Sequence, residues 1–232
     1  MKNYVVKPVC FFALVCVCSF AYAQESVSEM SRPYAYGQWH VKLRKADALN
    51  KPEFLFNPNY LIANFYAPDS KEVVKEKKFK LNLQLSKLLL LDENSEEMEV
   101  ISPIKKIEFI KQEGVNEPVL FERGFSQVNE LTTDNFYQVL VSGKAYLLLD
   151  TKFAEVKEFA YGGTPEIRID KVLSYYGAYG GSTIKITKLE NVVELMSDKL
   201  KEISDYIKQE KIKVKSRSDL EKLFTYYNNL PR

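Results

Sequence analysis

The chain has one histidine, one tryptophan and three cysteines in 232 residues, and each scarcity removes a class of chemistry. A histidine-rich metal centre or a histidine relay needs several imidazoles, and a Ser-His-Asp triad would rest on His40 alone, beside Trp39. Cys10, Cys16 and Cys18 all lie in the first 23 residues. Charge of one sign is also scarce: 33 basic residues stand against 31 acidic ones. The N-terminal segment alone carries Lys2 and Lys7 with no acid, so the rest of the chain is balanced and gives no global electrostatic case for nucleic acid. Apart from Val9 to Phe20, no long apolar run is present, and that one is shorter than the roughly 20 residues needed to cross a bilayer.

Lys2 and Lys7, the apolar run and then Ala21-Tyr22-Ala23 have the order of a secretory signal peptide, with cleavage expected before Gln24. A lipid anchor is disfavoured because Val15 and Val17, not small residues, precede Cys16 and Cys18. The expected product is exported, periplasmic or extracellular. It has no transmembrane segment, disulfide, thiolate nucleophile or cysteine ligand.

Residues 24–58 read as a weakly ordered tether with one edge element, Trp39 to Leu43. Residues 59–187 read as an antiparallel β domain. Leu61 to Tyr66 is its first clear strand, and Lys71 to Lys78 is expected to be a solvated connector or a short helical turn. Phe79 to Ser86 alternates apolar and polar, which predicts a strand with one buried face. Leu88 to Leu91, Met98 to Ile101, Ile104 to Ile110 and Val119 to Phe121 follow, and residues 124–135 form a loop. The centre is FYQVLVSGKAYLLLD, Phe136 to Asp150, read as two strands buried on both faces and joined by a two-residue turn at Ser142 and Gly143. Strands from Phe153 to Tyr161, Ile167 to Tyr176 and Thr183 to Ile186 complete the series. Short spacing without intervening helices predicts meander connections in a large sheet that curls to hide its edges.

The apolar period changes at Thr187. Thr187 with Glu190 suggests a capping box, Leu200, Ile203, Tyr206 and Ile207 continue at helical spacing, and Ser216 with Asp219 caps a last helix carrying Leu220, Leu223, Phe224 and Tyr227. Between the last two helices, Lys211 to Lys215 reads as an edge strand. Short amphipathic helices must dock to persist, so residues 188–232 are expected to cap the sheet. The fold class is therefore α+β: a large antiparallel, curled sheet with a C-terminal cap of short amphipathic helices.

The stretch KLENVVELMSDKLKEISDYIKQEKIKVKSRSDLEKLFTYYNNL, together with FYQVLVSGKAYLLL, resembles a broad group of exported proteins of unknown function from Bacteroidota-type bacteria. The resemblance spans about half of the mature chain through structural motifs. It implies an envelope or secreted location and supplies no catalytic residues.

No catalytic, cofactor-binding or metal-ligating residue is assigned. Asp92, Asn94 and Glu96 lack the glycine and the distal glutamate of a calcium loop. Gly177, Gly180 and Gly181 match no phosphate-binding spacing, and no helix begins directly after them. Tyr161, Tyr175, Tyr176 and Tyr179 are the candidate ligand-binding residues, because aromatic rings beside a glycine turn suit recognition of a peptide or glycan. Cross-strand packing is their structural alternative. The functional expectation is an exported, non-enzymatic binding or interaction protein of the cell envelope whose partner is a protein, peptide or glycan. A carboxylate-dependent hydrolase is the alternative, to be decided by whether an acidic pair converges in a cleft.

Overall fold

The computed structural model describes residues 34–36, 39–41, 43–46, 51–68, 73–92, 94–158 and 166–231. The segment expected to be a signal peptide, with the three cysteines, and Tyr161 lie outside these residues, as does the His40 side chain. Strands β1 (Tyr34–Tyr36) and β2 (Trp39–Val41) pair with each other. The remaining strands are β3 (Leu43–Lys45), β4 (Leu61–Tyr66), β5 (Val73–Asn82), β6 (Lys87–Leu91), β7 (Glu97–Val100), β8 (Lys106–Phe109), β9 (Val119–Glu122), β10 (Tyr137–Val141), β11 (Tyr146–Glu158), β12 (Glu166–Tyr179) and β13 (Ser182–Ile186). They form one 11-stranded antiparallel sheet in the order β13-β12-β11-β10-β9-β8-β4-β5-β6-β7-β3, open between its two ends. Helices α1 (Leu189–Leu195), α2 (Leu200–Glu210) and α3 (Arg217–Asn229) follow. The α+β reading stands.

Alternation along each strand sends one set of side chains to one face. Leu43, Phe65, Phe79, Leu90, Ile107 and Phe121, from β3 to β9, belong to a single buried cluster. Strands that span half the sheet can share one cluster only if the sheet curls around it. On β11, odd-numbered Leu147 continues this concave face but packs against Leu195, Leu220, Leu223 and Phe224 of the helices. Even-numbered Leu148 points to the opposite face, under residues 125–131. The central hairpin is thus covered on both sides, by helices on one and a loop on the other.

Four local expectations are corrected. Lys71 to Lys78 is not a helical turn, because from Val73 onward it is the first half of β5, held to β4 by Tyr66↔Val73 and Phe65↔Val74. Its broken alternation is absorbed by a register shift between Ala63 and Phe65, where Glu76 takes a positive φ and its N–H donates to Asn64 Oδ1. The strand predicted to reach Ser86 stops at Asn82, whose buried side chain accepts from Leu85 N and turns the chain. The turn at Ser142 and Gly143 is wider than two residues, since the first pair beyond it is Val141 with Leu147, after a register shift between Val139 and Val141. Asn228 of α3 shapes it, accepting from Ala145 N at 2.8 Å and donating to Ala145 O at 2.9 Å. A Cβ on Gly143 would lie 2.5 Å from the Asn228 amide nitrogen, so glycine is needed there for space. Lys211 to Lys215 forms no strand: Lys211 is a left-handed helix C-cap, Ile212 is buried against the cap, and Lys213 N donates to Asp219 Oδ2.

At the cap entrance, Asn191 does the work assigned to Glu190, its Oδ1 accepting from Thr187 N and Lys188 N. Ser216 caps α3 as expected, accepting from Asp219 N at 3.2 Å.

Candidate functional site

The three described candidate tyrosines sit on β12, where successive residues face opposite ways. Tyr175 and Tyr179 point to the helices. The Tyr179 ring meets Tyr227 edge-on at 5.7 Å, and both hydroxyls donate to Asp198, at 3.4 Å and 2.9 Å respectively. Burial and these bonds raise the Tyr227 pKa. Tyr176 lies on the other face, 3% exposed, with its ring 5.4 Å from Tyr137. Between them, Gly177 leaves the room that α1 and α3 require, since a Cβ would meet Leu195 Cδ2 at 2.5 Å and Phe224 Cζ at 3.1 Å. The tyrosines are therefore not gathered on one surface.

Past Tyr179 the chain reverses through Gly180 and Gly181, at φ of +57° and +83°, with open space around both. Here glycine is required by the backbone conformation. A pocket of about 170 Å³ opens beside the turn, lined by Phe125, Ser126, Tyr146, Tyr179, Ser182 and Thr183 among others. Phe125 stands 5.5 Å from the Tyr146 ring, and Ser126 Oγ donates to Thr183 Oγ1 at 2.9 Å. Among the described residues, no acidic one lines this pocket. Its one cation, Lys144, donates to the Leu230 carbonyl. Of the described sequence candidates only Tyr179 reaches the pocket. Phe125 and Ser126 come from a loop that carries no sequence signal of a site.

A wider groove of about 540 Å³ crosses β4, β8 and β9 on the convex face, lined by Tyr66, Lys105, Lys106, Glu108, Leu120 and Glu122. Two acidic residues share this groove, and each carboxylate is engaged. Glu122, 5% exposed, lies 3.2 Å from Lys106 Nζ and 3.6 Å from Lys105 Nζ. Glu108 accepts from Tyr66 Oη at 3.1 Å and Asn64 Nδ2 at 3.3 Å. Burial, then the bond to Glu108, raises the Tyr66 pKa.

A third polar group lies across β10 and β11. Asp150 is 4% exposed, and its neighbour on β10, Tyr137, is 1% exposed with no hydrogen-bond partner for its hydroxyl among the described residues. Burial raises the Asp150 pKa against the pull of Lys152 and Lys185. Burial, then Asp150 and Glu130, pushes the Tyr176 pKa up to about 12. A carboxyl whose folded pKa lies above its unfolded value stabilises the fold at low pH, and that contribution is lost as pH rises from the unfolded value through the folded one. Asp150→Asn keeps the shape and removes the charge. It is expected to raise the melting temperature at pH 7, with the gap to the parent closing below about pH 4, the unfolded carboxyl range. A variant less stable than the parent at pH 7 would show that the ionised carboxylate is needed.

No family model matches the chain, and no curated protein and no solved structure matches it. Among the described residues, no group of three or more His, Cys, Asp or Glu side chains could hold a metal ion, and no helix is long and apolar enough to cross a membrane.

Proposed function

We propose that the protein is an exported, non-enzymatic binding protein of the cell envelope, and that it takes a neutral, hydroxyl-bearing ligand such as a glycan unit at the glycine turn. The observation that carries this reading is the pocket itself: aromatic rings from Phe125 and Tyr146 beside the hydroxyls of Ser126, Ser182 and Thr183, with no acid in the lining. Rings give a sugar an apolar face to stack on, and hydroxyls satisfy its polar rim. Export rests on the order of lysines, apolar run and Ala21-Tyr22-Ala23, and on the resemblance of the C-terminal stretch to exported proteins. The cap and curled core are scaffold.

A second reading, a carboxylate-dependent hydrolase, is favoured by one observation, the shared groove of Glu108 and Glu122. Against it, the Glu122 charge is already met by two ammonium groups. One experiment separates the two readings. Binding to a panel of neutral oligosaccharides is measured by saturation-transfer NMR, and the same panel is assayed for cleavage. Ser182→Trp, at an exposed position on the pocket rim, is expected to weaken binding at least tenfold with an unchanged melting temperature, about 1.4 kcal/mol of affinity. Cleavage abolished by Glu122→Gln, with binding indifferent to Ser182→Trp, would establish the hydrolase.

A further inference from the structure

Strands β11 and β12 outrun their neighbours. They pair with each other from Tyr146↔Ala178 to Glu158↔Glu166, whereas β10 accompanies β11 only to Leu149 and β13 accompanies β12 only along Tyr175–Tyr179. Beyond those points they form a two-stranded ribbon. The β11 edge of this ribbon is partly closed, since Phe153 N donates to Gln84 Oε1 at 3.2 Å and the Phe153 ring lies 5.2 Å from Phe54. Along the β12 edge, from Glu166 to Ser174, no strand is paired among the described residues.

This edge is apolar as well as open. Ile167 is 61% exposed and Leu173 53%, and with Val172 they make up half of the exposed large hydrophobic side chains among the described residues. Natural sheets protect long apolar edges, and one left open is a template for another strand. Arg168 and Asp170 sit on one face of it, joined side by side by bonds of 2.7 Å and 3.0 Å.

We infer that β12 is a homodimer edge, pairing antiparallel with β12 of a second copy about a two-fold axis at Ile169. An axis perpendicular to the sheet keeps every side chain on its own face, so it must pass through a residue position, and only a few positions use most of the free edge. An axis at Asp170 sets Asp170 against itself. One at Lys171 sets lysine against lysine, and one at Arg168 sets arginine against arginine and Glu166 against Asp170. At Ile169 the opposed residues are Ile169 with Ile169, Arg168 with Asp170 of the second copy, Ile167 with Lys171, and Glu166 with Val172. No like charges meet, and the two Arg168–Asp170 pairs exchange partners across the axis. Opposite charges directly across an antiparallel pair stabilise it, and like charges disfavour it. The edge supplies backbone hydrogen bonds, the apolar residues supply burial, and the charges select the partner and the register. About 35 Å of strand separates Ile169 from the glycine turn, so the dimer leaves the pocket open.

The test uses the full mature chain, whose residues 24–232 contain no cysteine. Sedimentation equilibrium of the parent is expected to show a reversible dimer. Single Ile167→Cys, Ile169→Cys and Val172→Cys variants are then oxidised. Directly opposed residues have Cα atoms about 5 Å apart, within disulfide reach, so Ile169→Cys is expected to cross-link. In this register the two copies of residue 167 are about 13 Å apart along the strands, and those of residue 172 farther still, so both remain uncrosslinked. Asp170→Arg is expected to weaken association at least about tenfold, and adding Arg168→Asp to restore it. Ile167, Arg168 and Val172 are exposed and Ile169 and Asp170 half-buried, and far-UV circular dichroism checks the fold of each variant. A parent that stays monomeric at every concentration, equal cross-linking at the three positions, or a dimer indifferent to Asp170→Arg would overturn the inference.

Discussion

Leu223→Ala is expected to lower the unfolding free energy by about 2 to 5 kcal/mol, read from urea denaturation with an unchanged slope. Leu223 is fully buried in the cluster that joins α1, α2 and α3 to Ala145, Leu147 and Ile186 of the sheet. Removing its isopropyl group leaves a cavity walled by a helix and a strand. That contact is also fixed by polar bonds, with Asn228 on the Ala145 backbone and Lys144 on the Leu230 carbonyl, so the helix cannot simply settle into the space. The resistance to collapse places the expected loss toward the upper part of the range. A loss below about 1 kcal/mol would mean that the helices are a loosely tethered module, because cavity formation in a docked cap cannot cost so little.

Tyr176→Ala is expected to cost about 3 to 5 kcal/mol, the range for deleting a buried aromatic ring. The ring packs with Tyr137, Leu148, Ala178 and Leu131 beneath the Phe125 loop, and Lys185 Nζ lies 5.9 Å from its centre. Its loss would loosen the wall of the glycine-turn pocket along with the core. Tyr176→Phe separates the two contributions by keeping the ring and removing only the hydroxyl, and is expected to cost no more than about 1.5 kcal/mol. Thermal denaturation of both variants is the measurement. A stable Tyr176→Ala protein would instead mean that the ring faces a ligand, as a recognition surface made of Tyr175, Tyr176 and Tyr179 requires.

The division of those tyrosines shows where sequence reasoning had purchase. Adjacent residues of a strand face opposite sides, so Tyr175 and Tyr176, both inside the strand already read from Ile167 to Tyr176, cannot share a surface. Tyr179 reached the pocket because its backbone leads into the turn. Phe125 and Ser126 were not legible at all. They acquire a role by folding over Tyr146 and Thr183, and the Ser126–Thr183 bond joins residues 57 apart in the chain. The Glu108 and Glu122 pair was equally hidden, for two carboxylates on different strands have no spacing to read.

What the sequence by itself determined was periodic and local. Leu61 to Tyr66, read as a strand, is one and buries alternate residues, and Leu220, Leu223, Phe224 and Tyr227 all turn inward on α3. These patterns arise from the geometry of one element against any apolar neighbour, so they need no knowledge of which neighbour it is. Tertiary structure decided the rest. The lysine-rich start of β5 is a strand because β4 offers it hydrogen bonds, the hairpin turn widens because Asn228 of α3 reaches into it, and Lys211 to Lys215 remains a turn because Ile212 is drawn into the cap. In each case a partner distant in sequence supplies bonds or burial that outweigh a local preference of a few tenths of a kcal/mol per residue, and no window of sequence contains that partner.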